Sequence, residues 1–256
     1  MSTSTKHVAV SNQKGGVGKT MIAINLAGAL NQRGHTVLFV DVDPQGNATE
    51  GLGLSEVYEE PEPNLRSVLV SQDTALSEII ETHPEMDLVP SNIDLFKGEA
   101  ELVTEMQGRK RLQRAVADVD GGYDFVIYDC PPSLLVLTDS ALLAAQNVLI
   151  PALAESTSTR ALDILFDQID TLEAEYETSI NEQAIVANRV EPDGEAEEMM
   201  TWFQETFEPG LPIFEIRKRV VLKRAWSNGV SVFEHTEDCD MEAEFDQLAA
   251  HLEDAL

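Results

Sequence analysis

Residues 11–20 read SNQKGGVGKT (Ser11 to Thr20). The stretch ends as a phosphate-binding loop does, in Gly18-Lys19-Thr20, but the strict G-x-x-x-x-G-K-[ST] spacing asks for glycine at the position of Gln13. A second lysine, Lys14, stands at the other end of the loop. The loop lies between an apolar run, HVAVSN (7–12), and a helical run, TMIAINLAGALNQRG (20–34), closed by Gly34. A tight glycine-rich turn between a buried strand and a helix points successive backbone N–H groups into one cavity, and the helix N-terminus adds partial positive charge, so a phosphate fits there. Gly15, Gly16 and Gly18 permit positive φ and close backbone approach. Lys19 is then placed to reach the β- and γ-phosphates of a nucleotide, and the Thr20 hydroxyl to coordinate Mg²⁺. The competing reading, a turn that merely packs, is disfavoured by the strand-loop-helix setting.

Outward from the loop, short apolar runs alternate with helical stretches. The runs are TVLFVD (36–41), MDLVP (86–90), YDFVIYD (123–129), NVLIP (147–151), AIVAN (184–188) and PIFEI (212–216). Helices are expected near 74–81, 93–106, 108–119, 137–145, 157–175, 195–207, 219–227 and 241–255, and the acidic, proline-rich EVYEEPEPN (56–64) reads as a loop. This pattern predicts an α/β fold, a doubly wound, mostly parallel sheet with helices on both faces. No internal repeat or linker interrupts it, so residues 1–256 are expected to form a single domain.

A phosphate loop needs acids for its metal and its water. Asp41 and Asp43 follow TVLFV, and Asp129 follows YDFVIY, so all three stand where buried strands end. An acid closing an apolar run after the loop is the Walker B arrangement, and Asp129 fits it best; Asp43 could orient or polarise the attacking water. A helix cap or turn role is the alternative for any single aspartate.

Composition sets the outer limits. The chain has 256 residues, 43% of them hydrophobic, enough for a substantial core. It has no run of about 18 apolar residues, and MSTSTKHVAV leads into a strand without a signal-peptide core, so a soluble, cytoplasmic protein is expected. Cys130 and Cys239 form no C-x-x-C pair, which fits a reducing compartment. Asp plus Glu number 46 against 17 Lys plus Arg, a net charge of −29. Scattered acids of this density suit a salt-rich cytoplasm, where self-repulsion is screened, as in a halophile. Nine of the seventeen basic residues fall in two clusters, Arg109, Lys110, Arg111 and Arg114, and Arg217, Lys218, Arg219, Lys223 and Arg224. They are solvated helix faces or, against the acidic background, patches for a polyanion or an acidic partner.

NQKGGVGKT (12–20), DVDPQGNAT (41–49) and YDFVIYDCPPSL (123–134) resemble the motifs of the ParA/Soj partition ATPases, members of the deviant Walker A group that includes MinD. GEAELV (98–103), NVLIPALAE (147–155) and IRKRVVLKRAWSNGVSVFE (216–234) stand in the family's order. The resemblance implies a P-loop NTPase domain that binds ATP and Mg²⁺, forms a homodimer when ATP is bound, and hydrolyses ATP slowly. It implies that Lys14 is the signature lysine reaching the partner subunit's phosphates. Gly15, Gly16, Val17, Gly18, Lys19, Thr20 and Met21 would form the nucleotide loop, with Lys19 on the phosphates. Thr20, Asp43 and Asp129 would hold the metal, Asp43 being also the catalytic switch. Asn188 would hydrogen-bond adenine, with Ile216 and Arg217 beside the base. Met21 departs from a common threonine, and Arg189 and Val190 replace more variable residues.

Family members bind DNA without sequence preference and respond to a ParB-like, centromere-bound partner. Arg189, Arg217, Arg219, Lys223 and Arg224 are the corresponding candidates for DNA contact. Acidity opposes them, because affinity built on about six phosphate contacts falls on the order of 10³-fold or more between low and moderate salt. Four other readings compete with this one. A MinD-like regulator of cell division should end in a basic amphipathic helix, whereas MEAEFDQLAAHLEDAL (241–256) is acidic, which argues against a membrane. An iron–sulfur carrier would need cysteines that Cys130 and Cys239 do not supply. A metabolic ATP-dependent enzyme of the same fold is disfavoured by the closeness of DVDPQGN. An interaction protein without catalysis would lack Asp43 or Lys19.

Overall fold

Apolar runs too short for helices and buried on both faces leave one solution, a parallel sheet sandwiched between helices, and the computed structural model has it. It describes residues 5–119, 122–192 and 194–256. Met1 to Ser4, which the signal-peptide reading includes, lie outside the described residues. In chain order the elements are β1 (Lys6–Val10), α1 (Lys19–Gln32), β2 (Val37–Asp41), α2 (Asn47–Gly51), α3 (Ser55–Tyr58), β3 (Glu81–Thr82), β4 (Asp87–Val89), α4 (Leu95–Leu102) and α5 (Arg111–Ala117). They continue as β5 (Phe125–Asp129), α6 (Val136–Ala145), β6 (Asn147–Leu153), α7 (Ser158–Tyr176), β7 (Asn181–Val190), α8 (Gly194–Phe207), β8 (Ile213–Arg217), α9 (Val220–Ser227) and α10 (Glu242–Ala255).

The strand order is β3-β4-β2-β5-β1-β6-β7-β8. Every described pair is parallel except β3 with β4. Side chains alternate between two cores: Val8, Val10, Phe125 and Ile127 enter one with α1 and α10, while Ala9, Val126 and Tyr128 enter the other with α6 and α7. α1 is buried from Ile22 through Leu30 without a break, apolar on every side but for the hydrogen-bonded Asn25, because α10 packs outside it. Arg33 and His35 clip the two together through Glu253, at 2.6 to 2.8 Å.

The long elements lie where the sequence predicts them; the short ones differ. The expected helix at 74–81 is only a 3₁₀ turn, Leu76–Glu78, after which Glu81 and Thr82 pair with Asp87 and Leu88 as a strand. Adjacent Ile79 and Ile80 and the nearby Pro84 favour extension over a second helical turn. The helix expected at 93–106 contracts to α4, and that at 108–119 becomes a 3₁₀ turn, Gly108–Lys110, leading into α5. The 56–64 segment begins inside α3 rather than as loop throughout. Ser67–Ser71 form a π-helical turn for which the sequence carries no expectation.

Candidate functional site

The parallel sheet delivers the glycine-rich loop, Asp41, Asp129 and Asn188 to one edge, at the C-terminal ends of β1, β2, β5 and β7. β1 is the switch point, with β5 on one side and β6 on the other. Asn12 starts the loop: its amide donates to the Pro151 carbonyl (2.7 Å) and its Oδ1 accepts the Lys14 N–H (2.9 Å). Gly18 takes φ 91° as the residue preceding α1, and a Cβ there would collide with the Asn188 amide. No side chain caps α1, which leaves its first N–H groups available to an anion.

The loop's two lysines go in different directions. Lys19 is 6% exposed, and its Nζ lies 3.4 Å from the Lys14 carbonyl oxygen. Burial lowers its pKa, opposed by Asp129, Cys130 and Asp43. Lys14 Nζ instead donates to Glu155 Oε2 (3.1 Å) and Thr157 Oγ1 (2.5 Å), beyond the end of β6.

The three aspartates are equally distinct. Asp41 is fully buried and occupied: its Oδ2 accepts the Thr49 N–H (2.8 Å) and hydroxyl (2.7 Å), and its Oδ1 the Asp43 N–H (3.2 Å). Burial pushes its pKa up to about 7 against those bonds. Asp129, its neighbour in register on β5, is also fully buried, yet neither carboxylate oxygen has a formed hydrogen bond. Burial and Asp41 raise its pKa well above the usual range, and the nearby Thr20 hydroxyl only partly opposes them. An ionised carboxylate left this way costs several kcal/mol unless a cation joins it. Asp43 opens a turn that runs to Gly46: its Oδ1 accepts the Gln45 N–H (2.9 Å), and burial raises its pKa. Among the described residues no three His, Cys, Asp or Glu are grouped to hold a metal alone. A cation beside Asp129 and Thr20 would therefore share its remaining ligands with phosphate oxygens, the usual habit of Mg²⁺.

A cleft of about 680 Å³ opens over the loop. Gly16, Gly18, Lys19, Thr20, Met21, Asp43 and Asn188 line it, and Arg189, Arg217, Lys218, Arg219, Lys223 and Trp226 extend it along β8 and α9. Val17 and Ile216 are fully buried, so Ile216 meets the cleft through its neighbour Arg217, not through its own side chain. Asn188 Nδ2 donates to the Val17 carbonyl (2.7 Å) and its Oδ1 accepts the Arg189 N–H (2.8 Å), so its amide braces the loop. Arg189 has φ 55° at a β-bulge, which turns the strand end at the cleft.

The basic clusters are less free than their sequence suggests. Arg217 pairs with Glu215 (2.8 Å), Lys218 with Glu191 (2.8 Å), Arg219 with Asp240 (2.5 Å) and Arg224 with Glu237 (2.6 Å). Arg189 and Lys223 make no ion pair among the described residues. In the 109–114 cluster, Arg109 pairs with buried Asp139 (2.7 Å). Arg111, 8% exposed, donates to the Leu69 and Val70 carbonyls, and Arg114 to Gln107. Arg109 and Arg111 are thus engaged within the fold, on α6 and on the 69–70 segment. Sequence reasoning also passed over Glu155, Thr157, Ser91 and Tyr58, which hold Lys14 and the Asp43 turn. Only contacts across 14 to 143 positions reveal them.

Residues 5–182 match the AAA domain family. The chromosome-partitioning ATPase Soj of Treponema pallidum (strain Nichols) is 32% identical over 249 residues, 94% of this chain and 94% of that protein. An uncharacterised protein of Mycobacterium tuberculosis (strain ATCC 25618 / H37Rv) is 39% identical over 189 residues, 73% of this chain; the match spans only 59% of that relative's length. Among solved structures, an ATP complex of a Cyanothece McdA variant superposes with TM-score 0.87 at 24% identity, covering 98% of this chain and 97% of the other. Cobyrinic acid a,c-diamide synthase from Mycobacterium smegmatis, with bound ATP analogue and magnesium, superposes at 0.79 with 28% identity, covering 96% and 93%. With the family match running from β1 into β7 and the Treponema relative aligned nearly end to end, the chain belongs to the Soj/ParA family of AAA-domain proteins.

Proposed function

We propose that this chain, as one domain, is an ATP-hydrolysing switch of the ParA type that acts in partition of a plasmid or chromosome or in positioning another cellular cargo. The observation that carries the reading is the opposed aim of the loop lysines. Lys19 is buried among Asp129, Cys130 and Asp43, whereas Lys14 points away from its own cleft to Glu155 and Thr157. A lysine so placed serves a nucleotide only in another copy. Lys14 then adds positive charge to the transferred phosphoryl group in trans, as an arginine finger does, and hydrolysis waits on dimerisation.

Within one copy, the loop N–H groups and Lys19 hold the phosphates. Thr20 and Asp129, with Asp43 beside them, would hold Mg²⁺, which neutralises charge developing on the phosphate oxygens. Asp43 accepts a hydrogen bond from the attacking water and orients it. Asn188 reaches adenine by exchanging the Val17 carbonyl for the base. The Soj relative's name and the nucleotides in the two solved structures support ATP as the ligand. Exposed Ile93, Phe96, Val103 and Met106, with Leu135 after the Asp129 loop, supply apolar surface for the dimer.

Contact with nonspecific DNA is proposed through Arg189 and Lys223 first, with Arg217, Arg219 and Arg224 joining by exchanging carboxylate for phosphate; a ParB-like protein is the proposed activator. α10 carries five acids and no lysine or arginine, which disfavours an anionic membrane. No helix among the described residues is long and apolar enough to cross one. A cytoplasmic, nucleoid-associated life in a salt-rich cell fits the charge of −29. The test is Lys14→Ala: nucleotide binding by the monomer is retained and turnover is lost, and unchanged turnover would refute the trans role.

A further inference from the structure

The turn that carries Asp43 is held from outside the motif. Gly46 N–H donates to the Asp43 carbonyl (2.8 Å), closing the turn, and Ser91 Oγ donates to the same carbonyl (2.6 Å). The next carbonyl along, that of Pro44, is held by Tyr58 Oη at 2.7 Å. The Tyr58 ring lies so close over Gly46, which has φ 65°, that a Cβ there would collide with it. The same tyrosine accepts the Ile93 N–H at its own carbonyl (3.1 Å), immediately before α4 and at the start of the exposed apolar stretch. Asn92 Nδ2 donates to the Glu60 carbonyl (2.9 Å), which ties α3 to the same point. Tyr58 thus joins Ser91 in bridging the Asp43 turn and the entrance to α4.

We propose that Tyr58 is a positioning residue for hydrolysis: its hydroxyl on the Pro44 carbonyl and its ring over Gly46 fix the direction of the Asp43 carboxylate. The proposal rests on the ATPase reading above. Asp41 and Ser91 hold Asp43 by its own N–H and carbonyl. Tyr58 holds the next carbonyl, that of Pro44, and so fixes the peptide group that follows the catalytic residue. Burial, with Asp41 and Asp43 close by, raises the phenol pKa, so the hydroxyl remains a donor throughout the working pH range. Tyr58 touches neither phosphate nor metal in this arrangement, and it is not among the residues lining the cleft.

The test compares Tyr58→Phe, which keeps the ring and loses only the hydroxyl, with Tyr58→Leu, which loses both, in the full chain. ATP turnover, ATP affinity by fluorescent-nucleotide titration and thermal midpoint are measured on each. Tyr58→Phe is expected to lower kcat about tenfold, the worth of one hydrogen bond, and Tyr58→Leu further, with nucleotide affinity within about twofold and an unshifted midpoint for Tyr58→Phe. A kcat for Tyr58→Phe within twofold of the parent overturns the proposal while leaving the ATPase reading intact. So does a loss of kcat matched by equal losses of affinity and thermal midpoint, which is the mark of a merely structural tyrosine. A parent protein with no ATP turnover removes both readings together.

Discussion

The floor of the cleft and its mouth treat charge in opposite ways. On the floor, Asp129 is fully buried with neither oxygen hydrogen-bonded, and Lys19 is desolvated beside it. At the mouth, Arg217, Lys218, Arg219 and Arg224 each rest on a carboxylate of their own chain. The pKa directions follow: burial drives Asp129 up, while the Arg219 guanidinium holds Asp240 down. A group left unsatisfied in the interior is a standing demand for a ligand, whereas an exposed ion pair is worth about 0–1 kcal/mol and can be traded for another. The floor is therefore built around one specific ligand, and the mouth for exchange.

The hardest blow to this contrast would be a floor that does not need its charges. Lys19→Ala is expected to weaken nucleotide binding by about 10- to 100-fold, the worth of a charge-assisted contact, and to abolish turnover. Titration with a fluorescent ATP analogue reads it, and parent-like affinity would mean that the floor is not aimed at phosphate. Asp129→Asn should separate stability from function. Removing a buried carboxylate that accepts no hydrogen bond recovers about 1–3 kcal/mol, raising the thermal midpoint of the nucleotide-free protein by several degrees while hydrolysis falls. A lower midpoint would show that the carboxylate is already compensated.

The mouth is sharpened by smaller changes. Neutralising Glu215, Glu237 and Asp240 together (Glu215→Gln, Glu237→Gln, Asp240→Asn) releases three arginines. DNA retention at low salt should rise about tenfold, with a steeper dependence on salt. Unchanged retention would mean that the pairs do not compete with phosphate. The smallest effect is the pH dependence of one pair. Because Arg219 depresses the folded-state pKa of Asp240, the pair's contribution is present above the ordinary carboxylate pKa of about 3.9 and is lost as pH falls below it. Asp240→Asn should flatten that acid limb of a melting curve slightly, and an undiminished slope would assign it to other carboxylates.

What the sequence made legible was what neighbouring residues encode together. The glycine-rich loop, the acids closing apolar runs and the long alternation of strand and helix are each contained in a dozen residues, and each stands where it was read. The strand at 81–82 was not legible, since two residues carry no period and exist only because β4 lies alongside. Nor was the resting partner of Lys14, since Glu155 comes 141 positions later and reaches it only through the β1–β6 pairing. The partners of the basic clusters were not legible for the same reason. Adjacent cations are visible in a sequence, but Asp139, Asp240 and Glu237, which answer them, are brought up by folding.

The enclosure of α1 has a further consequence. A helix buried from Ile22 to Leu30, clipped to α10 and too tightly packed at Gly28 to admit even a methyl group beside Ser231, is expected to stay in place when nucleotide arrives. Rearrangement on ATP binding is then expected in the shorter elements around the cleft, foremost the short helices α2 and α3 between β2 and β3. In hydrogen exchange, the α1 amides should be among the slowest in the molecule with or without ligand, and the 43–60 segment should be where protection changes.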